Sequence, residues 1–294
     1  MLIGAIEAGG TKFVCGIGDE NGCIYDKIIF PTTTPDEVLD KIVTYFSEEN
    51  IKAIGVGTFG PLDLNVNSPT YGYITSTPKY FWQDTNIVGM LKEHFSMPIG
   101  FDTDVNAAAL GEQTWGAATG IDSCIYMTVG TGIGVGAIVN GELLHGLIHP
   151  DMGHVFIKRH PDDLFPGVCP FHKDCLEGLA SGQAIEQRWM KKGQELTAKE
   201  EVWELEAYYL AQGIANFILT LSPKKVIVGG GVASQQKLLP LIRKNVQNLL
   251  NGYVKHELIL KNIREYIATP KLGSDAGICG SLVLARTAFF HAEK

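Results

Sequence analysis

No apolar run in the chain approaches the roughly 18 residues a membrane-spanning helix needs, and Met1 is not followed by a basic region with an apolar core. These two absences argue against a membrane span and an export signal, and they lead to the expectation of a cytoplasmic protein. There is also no run of five or more basic residues, and the net charge is -8 with a pI near 5.5, so neither a nucleic-acid surface nor a membrane surface is expected as a partner. Two common nucleotide signatures are missing. Gly9-Gly10-Thr11-Lys12 lacks the first glycine of a Walker A loop and leads into a strand instead of a helix, and the GGGVAS stretch from Gly229 lacks the spacing of GxGxxG. Cysteine is sparse, at six residues, and thiols in a reducing compartment stay unpaired. Cys15, Cys23, Cys124 and Cys279 lie in apolar segments and read as core thiols.

What is present suffices for two ordinary α/β domains: 294 residues, of which 45% are hydrophobic. The chain opens as a β meander. Leu2 to Glu7 and Phe13 to Gly18 read as strands around a glycine turn, in which Gly9 and Gly10 can take positive φ and bring amides close to an anion, with Thr11 and Lys12 beside them. A hairpin turn with no ligand fits the same residues. Asn21-Gly22 then turns the chain into a third strand. The pattern returns later, with strands at Ile125 to Val129 and Val135 to Val139, a glycine turn at Gly130 to Gly134, and Asn140-Gly141. Two copies suggest two related domains that face each other across a nucleotide cleft.

Between the copies, Thr34, Pro35 and Glu37 predict a capped helix start, and Asn67 to Asp84 is a long polar and aromatic loop that either carries function or packs itself down. Asp102 to Asp104 falls where a strand hands over to a helix. A carboxylate there either caps the helix or serves as a base in a cleft. After the second copy, helices are expected at Ser181 to Lys192 and Thr197 to Leu221. A buried strand then runs into Gly229 to Gly231, a helix follows Ser234, and an apolar helix from Gly273 to Phe290 could cross back to the first domain.

The densest chemistry lies at Ile148 to Glu177. Cys169, His172 and Cys175 follow at intervals of three, and His154 lies upstream on an extended segment. Two thiolates and two imidazoles suit tetrahedral zinc with no open position, which makes the metal structural; the alternative is two buried thiols with two surface histidines. The second ring nitrogen of His154 could tie the metal loop to a ligand. Asp151 and Glu177, flanking the set, either converge on that pocket or are solvated carboxylates.

With these pieces placed, the chain resembles the ROK family of sugar kinases and repressors, in particular its zinc-containing bacterial fructokinase branch. EAGGTKF at Glu7 to Phe13 is similar to the family's first phosphate loop, DTDVNAAALGE from Asp102 to the segment bearing its base, and VGTGIGVG from Val129 to its second phosphate loop; HPDMGH, CPFHKDC with Glu177, VGGGV and GSDAGICG complete the match. The resemblance implies an α/β, actin-like ATPase fold with a zinc-binding insertion in the second domain. The implied domains are residues 1–116, with a C-terminal helix from about 278 to 294 packing back, and 117–277, with the zinc loop at 154–175. It implies an ATP-dependent hexose kinase acting on fructose, or else on mannose, glucose or an amino sugar. Asp104 would be the base. Gly9, Gly10, Thr11, Lys12, Thr131, Gly132, Gln183, Gly229, Gly230, Gly231, Val232 and Ala233 would bind ATP with Mg2+; Thr103, Asp104, Asp151, His154 and Glu177 would bind the sugar. It further implies a homodimer. Departures from the family pattern are Glu7 for Asp, Thr103 for Asn and Asp151 for Glu. The family's sensing members carry an added DNA-binding domain, for which a chain starting directly on the first strand leaves no expected place.

Overall fold

The computed structural model describes Met1–Glu293, and the chain divides into two compact units. The first holds Met1–Gly120, Leu143–Pro150 and the stretch from Lys271 onward; the second holds Ile121–Glu142 and Asp151–Pro270. The sequence boundaries at 116 and 277 therefore shift by a few residues. The segment Leu143–Pro150 also belongs with the first unit, because His145 bonds Asp102 and His149 accepts from the Leu62 amide.

In the first unit, five strands lie in the order Ile24–Pro31, Lys12–Asp19, Leu2–Ala8, Ile54–Thr58, Ile99–Thr103. The first two joins are antiparallel and the last two parallel. Central strands of such a sheet are buried on both faces and so read as continuous apolar runs. On Leu2–Ala8, Ile3 and Ala5 point to one face, where they meet Ile278, Leu282 and Ala285. Ile6 and Ala8 point to the other, toward Phe13, Ile42 and Phe46. The helix Ala276–Ala292 lies so close to the sheet that a β-carbon at Gly55 or Gly100 would strike its backbone, which is why small residues recur there.

The helix Pro35–Phe46 buries Val38, Ile42 and Phe46 along one face. Thr34 takes the cap position, but its side chain makes no cap bond, so the expected capping box does not form. Pro35 at the first helical position already removes one unpaired amide, and the Thr34 carbonyl accepts from Val38.

The second sheet repeats the order: Glu142–Leu143, Ile133–Val139, Cys124–Val129, Lys225–Gly229, Ile267–Ala268, all but Leu143 in the second unit. Its central pairings repeat the hairpin followed by parallel strands. Asn140 and Gly141 both take positive φ, 54° and 86°, as the tight turn requires. The long helix Glu200–Leu221 buries Trp203 and Tyr209. The helix expected after Ser234 starts later, at Leu238, because residues 231–237 form turns at the strand end. Among the described residues, no helix is long and apolar enough to cross a membrane.

Candidate active site

Asp104 is the first residue of the helix Asp104–Thr114, directly after the strand Ile99–Thr103. The cap is neither aspartate. It is Thr103, whose Oγ1 accepts from the Asn106 amide at 3.1 Å, and whose hydroxyl keeps its own proton to donate. Asp102 is 3% exposed and saturated: Oδ1 accepts from the Thr103 amide and from Asn106 Nδ2, both at 2.7 Å, while Oδ2 lies 2.9 Å from His145 Nε2. This bond holds His145 above its ordinary pKa. Asp104 accepts from the Val105 amide at 2.9 Å and stays partly accessible within a densely packed surround. Burial pushes its carboxyl up to about 6. Asp104 has both the spare acceptor capacity and the raised carboxyl that a general base needs.

Glu7 is the next-to-last residue of the first strand and lies near Asp104. Burial, then the Asp104 charge, raise it to about 7, against the lowering influence of Lys12 and an amide bond from Ile278. A β-carbon at Gly277 would meet its carboxylate, so the N-terminal turn of the last helix closes directly on this side chain.

The first glycine turn follows. Thr32 ties it down, with its hydroxyl donating to the Gly9 carbonyl at 2.7 Å and its amide to the Thr11 carbonyl. Neither Gly9 nor Gly10 has positive φ, contrary to the sequence expectation. Space is what demands glycine. A β-carbon at Gly9 would sit 2.9 Å from the Lys12 carbonyl, and one at Gly10 would sit 3.0 Å from Lys79 Cε.

In the second unit the turn Gly130–Gly132 is held differently. Glu177 Oε2 accepts from the Ile133 amide at 2.9 Å, and a β-carbon at Gly132 would lie 2.5 Å from that oxygen. Glu177 Oε1 is 3.8 Å from His154 Nε2, an electrostatic contact beyond hydrogen-bond range. The other nitrogen of His154, Nδ1, points at Cys175 Sγ and Cys169 Sγ, 3.5 and 3.7 Å away. The ligand atoms of His154, Cys169, His172 and Cys175 all lie within 4.8 Å of one another. Tetrahedral zinc with sulfur at about 2.3 Å and nitrogen at about 2.0 Å separates those atoms by ~3.5 Å, so the set fits such an ion. The thiol chemistry agrees. Without a cation, burial pushes the Cys175 thiol up to about 12, so a cation is what would make it a thiolate.

The second turn also meets two other glycine-rich features. The helix Gly182–Trp189 starts on it, with the Gly182 amide donating to the Gly130 carbonyl at 2.8 Å and the Gln183 amide to Thr131 at 3.4 Å. The stretch Gly229–Ala233 crosses beside the end of the neighbouring strand, where Gly230 has φ +94° and its missing β-carbon makes room for the Val129 backbone. The Val232 amide donates to the Val129 carbonyl. Thr131, Gly132, Gln183, Gly229 to Ala233, Glu177 and His154 thus form one neighbourhood. Asp151 is exposed at the start of the short turn Met152–His154.

Sequence reading missed three residues. His145 and His149 bind the first unit through Asp102 and Leu62. Glu112, fully buried, accepts from the Ala117, Lys271 and Leu272 amides and so clamps two stretches near the unit boundaries. Its only signal was a carboxylate inside an alanine-rich helix. A hollow of about 590 Å3 in the second unit, lined by Trp189, Tyr208 and Lys244 among others, shares no residue with this site.

A family model described as the ROK family matches residues 3–288. The chain belongs to the ROK family. It is 46% identical over 291 residues to a fructokinase of Lactococcus lactis, covering 98% of each chain. It is 44% identical over 292 residues to a fructokinase of Pediococcus pentosaceus, covering 99% of this chain and 100% of that one. Among solved structures, a ROK family glucokinase from Streptomyces griseus in complex with glucose and AMPPNP matches with a TM-score of 0.78 at 25% identity, covering 98% and 100% of the two chains. A ROK hexokinase from Thermus thermophilus matches with a TM-score of 0.79 at 27% identity and 98% coverage of each. The two like-ordered sheets are those of the actin-like ATPase fold these ROK kinases share.

Proposed function

We propose that this ROK protein is an ATP-dependent fructokinase, transferring the γ-phosphoryl group of MgATP to the 6-hydroxyl of fructose. The observation that carries the reading is identity of 41 to 46% over nearly the whole chain to fructokinases of four bacteria, joined to an Asp104 carboxyl that is partly accessible and has spare acceptor capacity. Asp104 accepts the hydroxyl proton, and its carboxyl near 6 suits a base working near neutrality. Thr103 and Asp104, with Asp151, His154 and Glu177, are assigned to the sugar. Backbone amides of the two glycine turns, Thr11, Lys12 and Thr131 offset phosphate charge, and Gly229 to Ala233 with Gln183 take the nucleotide. Mg2+ arrives with ATP, and Glu7 is the carboxylate assigned to face it.

His154, Cys169, His172 and Cys175 would hold one zinc ion, which would supply a cross-link between the turn at His154 and the Cys169–Cys175 loop. The chain's own part is then to fix Glu177, two residues beyond Cys175, against the Ile133 amide. A cytoplasmic homodimer accompanies the reading. The test is ADP release by the purified protein with MgATP and a panel of hexoses. Fructose should give the highest kcat/KM; a higher value for glucose or mannose would place the chain with the glucokinases of the family, and no transfer to any hexose would reject the kinase reading.

A further inference from the structure

The loop Asn67 to Asp84 has no part in the chemistry above, yet it is built with care. Trp82 is 3% exposed; its Nε1 donates to the Thr33 carbonyl at 2.7 Å, and its ring stacks on Phe13 at 5.2 Å and meets Phe59 edge-on at 5.7 Å. Phe13 directly follows Lys12 on the strand that leaves the first glycine turn. Gln83 Nε2 donates to the carbonyl of the buried Thr77, and the Thr75 amide and hydroxyl both donate to Pro61. The segment between these anchors is Pro78 to Phe81. Lys79 begins its short turn, Tyr80–Trp82.

The consequence is the position of one ammonium. Lys79 is half-buried and lies over Gly10, where a β-carbon would be 3.0 Å from its Cε and 3.6 Å from its Nζ. Among the described residues its ammonium joins no ion pair, whereas Lys27, Lys224 and Lys237 each have a carboxylate. A cation drawn partly out of water needs an anion, and none of the described residues supplies one. Lys12 stands in the same turn, so two cations border backbone that already suits a phosphate.

We infer that Lys79 is a phosphate-binding residue of the first glycine turn, contacting the γ-phosphoryl group as it moves; the inference rests on the kinase reading above. In that step the 6-hydroxyl oxygen bonds phosphorus and the bond from phosphorus to the bridging oxygen breaks. The hydroxyl proton passes to Asp104, and the electron pair leaves with ADP. Lys79 makes and breaks no bond. It offsets charge on the equatorial oxygens, which is where most catalytic stabilisation in phosphoryl transfer resides. The glycine at position 10 follows, since any larger residue would push the ammonium away.

The test compares Lys79→Met, which keeps length and loses charge, with Lys79→Arg, which keeps charge, in kinetics, Tm and titration with AMPPNP and ADP. Lys79→Met should lose about 10²-fold in kcat, with fructose KM changed less than about threefold and Tm unchanged. Its AMPPNP affinity should fall about tenfold while ADP affinity holds, and Lys79→Arg should recover part of both losses. Turnover of Lys79→Met within about threefold of wild type, equal losses for AMPPNP and ADP, or a lowered Tm with no recovery by Arg would each overturn the inference. Wild-type protein that transfers nothing to fructose would sink the kinase reading instead. The AMPPNP against ADP comparison would then still decide whether Lys79 meets a terminal phosphate.

Discussion

The two glycine turns come from the same strand, turn and strand pattern, yet the side chains that close on them carry opposite charge. The first has Lys12 within it and Lys79 above Gly10, with no carboxylate paired to Lys79 among the described residues. The second has Glu177 against Gly132, already taking the Ile133 amide and backed by His154 and the cysteines. A repeated backbone pattern therefore does not mean a repeated role. The first turn leaves its positive charge unpaired by any described carboxylate; the second is held in place by the protein's own carboxylate.

The largest expected effect lies on the first unit. Asp104→Asn should lose roughly 10²- to 10⁴-fold in kcat while binding both ligands nearly as before. Thr103 supplies the helix cap, so the substitution should leave the helix start intact. Near-normal turnover in a folded protein would remove Asp104 from the chemistry.

On the second unit, Cys175→Ser should abolish stoichiometric zinc and lower Tm by roughly 5 °C, the change for about 3 kcal/mol in a chain of this size. Zinc content measured after purification without chelator, together with a melting curve, checks both. Unchanged metal content would leave the four residues as an empty cluster and detach Glu177 from any metal role.

A sharper comparison places the same substitution in both turns. Gly132→Ala meets a carboxylate held by the Ile133 amide and should cost about 1–3 kcal/mol, with a fall in kcat/KM. Gly10→Ala meets only the far end of Lys79, which can swing aside, so stability should change by less than about 0.5 kcal/mol while turnover falls with the displaced charge. Equal stability losses would erase the distinction between the turns.

The smallest effect is a pH dependence. The Asp104 carboxyl is raised to about 6 in the fold, so between its unfolded value near ~3.9 and 6 the native state holds the extra proton. The stability it contributes is fully present below the unfolded value and is lost as pH rises through about 6. Asp104→Asn should therefore raise Tm relative to wild type at pH 8 and leave it nearly unchanged at pH 4. In wild type, kcat/KM should fall as pH drops below about 6 and the base takes up its proton. A Tm difference independent of pH would contradict the raised carboxyl.

Much of this was legible in the chain itself, for a simple reason: local pattern and local chemistry are written in adjacent residues. The repeat of strand, glycine turn, strand and Asn-Gly turn suggested two related domains, whose sheets share one strand order, and the Cys169, His172 and Cys175 spacing with His154 predicted a cluster whose ligand atoms do converge. The motifs in order carried the family. What the sequence left open were choices between neighbours or across long separations. Asp102 and Asp104 are alike by type and place. Only the fold saturates the first with His145, Asn106 and the Thr103 amide and leaves the second open, in surroundings that raise its pKa. Gly9 and Gly10 read as residues able to take positive φ; neither does, and what the fold adds instead is the close approach of the Lys12 carbonyl to one and of Lys79 to the other. Lys79 itself is 69 residues from Gly10 in the chain, and tertiary anchors such as the Trp82 bond to Thr33 and its stacking on Phe13 bring them together. Contacts of that kind depend on packing, which no local pattern encodes.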